Sequence, residues 1–163
     1  MTDTNPQKIN KLYLFVVLAT TIIFPIISIF IECVVKENSP VSFEMIGKWF
    51  IFYAVGIRLF TAGIKQIVTP AFTAKEIFHI QEESAFVIVK ELGFANACFG
   101  LIGIMSLFLP QWRIVSAFGS GLYYGFAALQ HFIKKTAGAN EMIALVSDVF
   151  VFVMLLIYVI KMF

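Results

Sequence analysis

Charged residues are scarce in this sequence. Asp, Glu, Lys and Arg together make up 13% of its 163 residues, about half of the proportion that is usual in soluble domains. The formal net charge is +2, and the basic residues form no cluster. Because nucleic-acid-binding proteins carry a basic patch or stripe, we expect no nucleic-acid partner.

Cysteine is scarce as well, since Cys33 and Cys98 are the only two. Their number and spacing fit neither a disulfide framework nor a metal site. Free cysteine is among the most buried residue types, so we expect both thiols to be buried. The sequence therefore assigns no metal, and it leaves any cofactor unknown.

Apolar residues, in contrast, are abundant. They make up 60% of the chain, which contains 19 phenylalanines and has a mean hydropathy of +0.92. Soluble domains contain only about 45–50% apolar residues, so the composition predicts an integral membrane protein. A transmembrane helix needs about 20 residues, which leaves room for four or five such helices and for no soluble catalytic domain.

The apolar runs predict an all-α, integral membrane helical bundle with five transmembrane helices, forming a single domain over residues 1–163. The predicted helices cover residues 12–34, 46–69, 85–109, 114–133 and 141–161. Pro70 and Pro110 close the second and third helices, because proline commonly follows a helix end. Asn140 is expected to cap the fifth helix.

The segment between the second and third helices, PAFTAKEIFHIQEES (70–84), is too polar to span a bilayer. Thr73 and Glu76 have the spacing of a capping box, and apolar residues follow them. We predict a short interfacial helix here, lying at the membrane surface, with His79 in contact with water.

The basic residues between the helices predict an orientation, because cytoplasmic loops carry an excess of Lys and Arg. With the N-terminus inside, the cytoplasmic side holds seven lysines, and the opposite side holds three lysines and one arginine. We therefore expect a cytoplasmic N-terminus and a C-terminus outside. The seven lysines are Lys8, Lys11, Lys65, Lys75, Lys90, Lys134 and Lys135, and the opposite group is Lys36, Lys48, Arg113 and Lys161.

In this topology the polar residues within the helices fall in the cytoplasmic half of the bundle. A charge inside a bilayer costs at least about 2.5–3.5 kcal/mol, so such groups usually pair or face a cavity. We therefore predict a polar pocket that binds a ligand. Its lining is Arg58, Glu91, Asn96, His131 and Asp148, with Lys65 and Glu141 as secondary members.

Spacing predicts an encounter between the second and fifth helices. Arg58 and Lys65 are seven residues apart, as are Glu141 and Asp148, and residues at this spacing project from one side of a helix. A basic stripe can therefore meet an acidic stripe. For Arg58 and Asp148, a structural salt bridge and a functional pocket are equally open.

Three other polar residues also have structural interpretations. Glu141 in a first helical turn is typical of a partner for the helix dipole. Asn96 is typical of a hydrogen bond between membrane helices, and His131 of an interfacial side chain near a helix end.

Small residues predict where helices approach closely. Gly93, Asn96, Gly100 and Gly103 form one stripe on the third helix, and Gly121 and Gly125 form a GxxxG pair on the fourth. Such stripes allow close contact between membrane helices. We expect Asn96 to face a packed neighbour.

Four segments, IRLFTAGIKQIVTP (57–70), ELGFANACFG (91–100), YYGFAALQH (123–131) and SDVF (147–150), resemble a family of small, uncharacterised bacterial multi-pass membrane proteins. Its members share a Glu-x-Gly-x-x-Asn helix followed by a helix that ends in His. The chain is more distantly similar to DoxX-like four-helix proteins, which are often associated with redox or quinone chemistry. The resemblance implies Glu91, Asn96, His131 and Asp148 as positions to test, and it implies no mechanism or cofactor. We expect the cell (inner) membrane of a bacterium as the location.

Three functions fit this sequence. The first is binding or transport of a small solute or lipid through the polar pocket. Since the chain lacks the internal repeat of many secondary transporters, a transport pathway would need a homo-oligomer. The second is a membrane enzyme with lipid- or quinone-linked proton-transfer chemistry at Glu91, His131 and Asp148. The third is an accessory or structural subunit of a membrane complex, and the lipid bilayer is a partner in all three.

Overall fold

A computed structural model describes residues 9–36, 40–134 and 138–162 of the chain. All regular secondary structure within these ranges is helical. Five helices are long, and one short helix, α3, consists of a turn at Pro70–Phe72 continued by a wider turn at Thr73–Ile77. The long helices are α1 (Lys11–Val35), α2 (Phe43–Val68), α4 (Ala85–Met105), α5 (Trp112–Lys134) and α6 (Ala139–Met162).

Local signals explain several helix ends. The side chains of Asn10 and Ser42 cap α1 and α2 by accepting hydrogen bonds from the backbone N–H groups of Tyr13 (3.0 Å) and Met45 (3.1 Å), as N-cap residues do. The largest difference from the predicted ranges is at the end of α4. There the helix gives way to a turn at Ser106, whose hydroxyl donates to the Gly103 carbonyl (2.7 Å), instead of continuing to residue 109.

Four of these helices, α1, α2, α4 and α6, are long and apolar enough to cross a membrane. Large apolar side chains are exposed on their outer faces, including Leu12 (71%), Val68 (71%) and Ile88 (70%). In water such a surface would be a liability, whereas in a bilayer it faces lipid. The chain is therefore a membrane-spanning protein with at least these four candidate spans.

Consecutive long helices run antiparallel, so the bundle has two ends. At the end that we call the Glu141 end, the Asn10 N–H donates to the side-chain oxygen of Asn140 (2.8 Å), and Lys134 donates to the Phe78 carbonyl (2.6 Å). At the opposite Glu32 end, the ring of Phe43 stacks on Tyr158, with 5.7 Å between centroids. The first end joins the start of α1 to α3 and the start of α6, and the second joins the start of α2 to the end of α6.

The closest helix contact is between α2 and α4, and glycines make it possible. A Cβ atom at Gly100 would lie 2.4 Å from the backbone nitrogen of Phe60, and one at Gly103 would lie 2.6 Å from that of Gly56. At Gly121 on α5, a Cβ atom would meet Leu155 at an ordinary 3.5 Å. The small-residue stripe on α4 is thus in backbone contact with α2, while the first glycine of the GxxxG pair packs less tightly against α6.

Three local expectations were wrong. Thr73 does not cap a helix, because α3 begins at Pro70 and Thr73 is buried inside it. Asn140 does not cap α6, which begins one residue earlier; its side chain instead binds the N–H of Asn10. Cys98 is exposed, and Cys33 is only partly buried although its Sγ lies 3.7 Å from the Sδ of Met45 on α2. Lys8 and Lys135, which entered the lysine count, lie outside the described residues.

Candidate functional site

Arg58 and Asp148 meet in the interior of the bundle. Nη2 of Arg58 lies 2.8 Å from Oδ1 of Asp148 and donates a second hydrogen bond of 2.8 Å to the hydroxyl of Ser147. The two charged residues are only 8% and 7% exposed. The basic side of α2 and the acidic side of α6 are therefore brought into direct contact at this level.

Arg58 directly follows a wide helical turn in α2. Residues Ile51–Ile57 form this turn, which is π-helical. The Arg58 N–H bonds to the carbonyls of Tyr53 and Val55, so the Ala54 carbonyl between them is available to the hydroxyl of Tyr124, which donates to it at 2.7 Å. Such π-helical turns are frequent at functional sites.

Tyr124 also lies against the guanidinium of Arg58. The Cζ atom of Arg58 is 5.1 Å from the centroid of the Tyr124 ring, within the range of a cation–π contact. One side chain of α5 thus holds both the π-helical turn of α2 and the cation that follows it.

The second nitrogen of the guanidinium has no partner. Nη1 of Arg58 is buried and makes no hydrogen bond to any group in the described parts of the chain. A buried donor of a charged group that is left unpaired costs more than about 1–3 kcal/mol. This nitrogen is therefore a position at which an added acceptor atom would be stabilised.

Glu141 forms a second cluster, nearer the end of the bundle. Its side chain is completely buried, at 0% exposure. Oε1 lies 3.3 Å from Nδ1 of His131, and Oε2 lies 3.3 Å from Nε2 of His79. Nζ of Lys134 is 3.7 Å from Oε1, so the carboxyl group has a possible cationic partner on each side.

His79 reaches Glu141 from the chain that follows α3. Its backbone has a φ of 57°, in the left-handed region that is uncommon for a residue other than glycine. The side chain is 31% exposed. His79 is thus partly exposed to water, as expected, and it also contacts a buried carboxyl group. The sequence did not indicate this second contact.

The two clusters share the helix α6. Glu141 and Asp148 are seven residues apart on it, about 10 Å along the helix axis, and residues at this spacing lie on one side of a helix. His131 of α5 contacts Glu141, and Arg58 of α2 contacts Asp148. We call these four residues, which lie along one side of α6, the polar region.

Asn96 occupies a different contact, between α4 and α2. Its Nδ2 donates to Oε1 of Gln66 at 2.7 Å, and both residues are buried. Oδ1 of Asn96 is buried without a hydrogen-bond partner in the described segments. Gln66 was not singled out from the sequence, although an amide inside an apolar helix is itself a signal for an interhelical hydrogen bond.

Glu91 and Lys65 lie apart from these residues. Glu91 is exposed and makes no side-chain hydrogen bond or ion pair with the described residues. Lys65 is exposed too, with its Nζ 5.9 Å from the centroid of the Phe72 ring. The structure therefore brings four of the predicted residues into two contacting pairs, Arg58 with Asp148 and His131 with Glu141, and leaves Glu91, Lys65 and Asn96 in other surroundings.

Glu32 gathers the charges at the opposite end. It pairs with Lys36 (2.7 Å) and Lys48, and it accepts a hydrogen bond of 2.6 Å from the indole nitrogen of Trp49. This cluster fastens α1 to the start of α2. Neither it nor the Glu141 cluster resembles a metal centre, since the described residues contain no group of three or more His, Cys, Asp or Glu arranged to hold a metal ion.

Comparison with known proteins assigns a family. No curated protein and no solved structure matches the chain. A family model described as a family of unknown function (DUF6790) matches residues 13–162, which is consistent with the resemblance to an uncharacterised family. Since the match covers nearly the whole chain and every residue of the polar region, the protein belongs to the DUF6790 family of unknown function.

Proposed function

We propose that all five long helices cross the bacterial inner membrane, with the Glu141 end in the cytoplasm. Four of these helices, α1, α2, α4 and α6, are long and apolar enough to cross a membrane, so α5 is the helix that this proposal adds. Its residues Ser116, Ser120, Tyr124 and His131 are buried, whereas its outer face carries exposed apolar side chains such as Phe118 (54%) and Phe126 (67%). A helix with this distribution suits a bundle that surrounds a polar interior.

We further propose that a small polar solute or a lipid headgroup binds at Arg58 and Asp148, and that the protein either holds this molecule or transports it. The unpaired Nη1 of Arg58 carries this proposal. In an interior at 8% exposure, a purely structural ion pair would be expected to use the whole donor fork of the guanidinium, because arginine can bind a carboxylate through two parallel hydrogen bonds.

The chemistry of the ligand follows from the groups that surround it. Asp148 already balances the charge of Arg58, so the site favours a neutral or zwitterionic molecule with an oxygen acceptor over a free anion. The Ser147 hydroxyl and the Tyr124 ring lie next to the guanidinium, and both hydroxyl protons are already donated to backbone carbonyls, so the donor left for a ligand is Nη1 of Arg58. For transport, a homo-oligomer would supply the remainder of the pathway.

The enzyme alternative has less support from the geometry. Proton-transfer chemistry on a lipid or quinone would require the substrate to touch an acid or base. Glu141 is fully buried, at 0% exposure, and Glu91 makes no side-chain hydrogen bond or ion pair to the described residues. The accessory-subunit alternative is decided by the experiment that follows.

The experiment compares molecules that co-purify with the protein when it is extracted from membranes together with its lipid. Wild-type protein, the Arg58→Leu/Asp148→Leu double variant and a Glu91→Gln control are purified alike, and bound small molecules are identified by mass spectrometry. We expect a molecule that is retained by the wild type and the control and is lost from the folded double variant. An identical set of molecules in all three samples, or none in the wild type, would leave only the scaffold role.

A further inference from the structure

We propose that the bundle conducts protons along a buried file, from Glu141 through the Arg58 level to the serines of α5. This activity goes beyond the proposed solute binding and needs no solute. It rests on three parts of the structure: an entrance at Glu141, a central region at Asp148 and an exit along α5.

The entrance is a carboxyl group between two imidazoles. Each oxygen of Glu141 faces a different ring nitrogen, Nε2 of His79 and Nδ1 of His131, and both distances are 3.3 Å. A proton taken up by His79 can pass to Oε2, and a proton can leave from Oε1 to His131, so that each group returns to its starting state after the next transfer. His79 is 31% exposed and Glu141 0%, which places the donor at the surface and the carrier inside.

A cation also lies close to Glu141. Nζ of Lys134 is 3.7 Å from Oε1, and the side chain is 41% exposed. The described groups within 4 Å of the carboxyl group include His79 from the chain after α3, and His131 and Lys134 from α5. A carboxyl group with adjustable partners on two sides suits repeated proton transfer better than a permanently paired carboxylate does.

The central region receives the proton at Asp148. Asp148 follows Glu141 by seven residues on the same side of α6, about 10 Å further along the helix axis. When Asp148 holds a proton, its attraction for Arg58 is weakened, and the unpaired Nη1 shows that this guanidinium has room for a different hydrogen-bond arrangement. The Arg58–Asp148 pair thus regulates the passage.

The exit follows one face of α5. Ser116, Ser120 and Tyr124 are spaced at intervals of four residues, so they share a side of the helix. The hydroxyls of Ser116 and Ser120 are buried, at 2% and 0% residue exposure, and neither has a hydrogen-bond partner in the part of the chain that is described.

Buried hydroxyls without a protein partner are typical positions for bound water. Buried polar side-chain atoms are nearly always hydrogen-bonded to protein or to ordered water, and water inside a protein typically bonds to such groups. In a membrane helix, serine commonly bonds to the carbonyl four residues earlier, which these two serines do not do. Water beside Ser116 and Ser120 would continue the file from Tyr124 toward the Glu32 end.

Proton flux into vesicles tests the file directly. The full chain is reconstituted into liposomes that contain the pH dye pyranine, and a potassium gradient with valinomycin drives protons inward. We expect the wild type to acidify the vesicles faster than protein-free liposomes do. Glu141→Gln, which keeps the shape of the side chain and cannot carry a proton, should reduce the rate to that of protein-free vesicles.

Two further variants separate conduction from folding. Ser120→Ala removes only one hydroxyl and should also lower the flux, while Glu91→Gln, an exposed carboxyl group on α4, should conduct as the wild type does. All rates are compared for protein that elutes as a single folded species. Equal flux in wild-type and protein-free vesicles, or wild-type flux in Glu141→Gln and Ser120→Ala, would overturn the proposal. Because no solute is added, this result is independent of whether a molecule binds at Arg58.

Discussion

Arg58 belongs both to a buried ion pair and to the proposed binding site. Nη2 of its guanidinium donates to Asp148 and Ser147, while Nη1 has no hydrogen-bond partner among the described residues. Buried ion pairs are weak sources of stability, because desolvation offsets most of the attraction, yet removing one partner strands the other. A variant series can therefore distinguish the pair as scaffold from the pair as site.

We expect Arg58→Leu and Asp148→Leu each to lower the free energy of unfolding by about 3–5 kcal/mol, since each leaves an unpaired buried charge. The double variant should recover most of this loss, because it leaves no charge behind. Thermal unfolding in detergent, followed by tryptophan fluorescence or circular dichroism, measures all three. If the single Asp148→Leu variant were as stable as the wild type, the 2.8 Å contact between Arg58 and Asp148 would contribute nothing to stability.

Tyr124 offers a second test at the scale of one atom. Tyr124→Phe keeps the ring over Arg58 and removes the hydroxyl that binds the Ala54 carbonyl. The buried carbonyl would lose its partner, and we expect a loss of about 1–3 kcal/mol.

Tyr158→Phe is the matched control for this substitution. Its ring is buried, and its hydroxyl makes no hydrogen bond within the described ranges. Unfolding in detergent should therefore separate the two variants clearly. Equal stabilities of Tyr124→Phe and Tyr158→Phe would mean that the π-helical turn of α2 does not depend on the Tyr124 hydroxyl.

The sequence indicated some of these residues and missed others for a physical reason. Arg58 and Asp148 stand out because a charge inside an apolar helix needs a partner, and their spacing to Lys65 and Glu141 suggested the helices involved. Tyr124 and His79 gave no such signal. A tyrosine in a membrane helix is common, and the position of His79 depends on a left-handed backbone that no side-chain pattern of histidine predicts.

Packing between α2 and α4 decides stability at the scale of helices. The two backbones touch where glycines face each other, and any added side-chain atom at Gly100 would fall 2.4 Å from the Phe60 nitrogen. Backbone atoms cannot move aside as a flexible side chain can. The contact is therefore intolerant of even the smallest substitution.

We expect Gly100→Ala to destabilise the protein by about 1–3 kcal/mol through overpacking. Gly119→Ala on α5 is the control, because its added Cβ would meet only the Phe99 ring, at 3.4 Å. That change should be nearly neutral in the same detergent unfolding assay. Equal losses at the two positions would contradict backbone contact as the cause.

Helix positions followed from the apolar runs, whereas their exact ends and irregular turns did not. Long uncharged stretches indicate α1 and α6 because a bilayer allows only helices with all backbone groups bonded. The end of α4 coincides with Ser106 bonding back to the Gly103 carbonyl, and the π-helical turn of α2 has a tertiary partner in the Tyr124 hydroxyl, which donates to the Ala54 carbonyl. Neither bond leaves a periodic pattern in the sequence.

The polar clusters at the two ends of the molecule differ in how far they extend into the bundle. The Glu32 cluster fixes the ends of α1 and α2 and consists of pairs typical of an interface. The Glu141 cluster, in contrast, continues inward to Asp148 and Arg58. The polar region is thus connected to the Glu141 end, so the orientation of the bundle in the membrane determines which compartment that end faces.

Labelling of single cysteines tests this orientation and the number of crossings together. In a background with Cys33→Ser and Cys98→Ser, we introduce Ser84→Cys, Gln111→Cys or Lys134→Cys, three exposed positions that lie before α4, between α4 and α5, and at the end of α5. With the Glu141 end in the cytoplasm, an impermeant maleimide should label only Gln111→Cys in intact cells, and the other two only after permeabilisation. The reverse pattern would place the Glu141 end outside. The basic residues that favour the cytoplasm would then lie on the opposite side of the membrane. Labelling of Lys134→Cys together with Gln111→Cys would mean that α5 does not cross the bilayer, and its buried serines would then lie in a helix folded back against the other four.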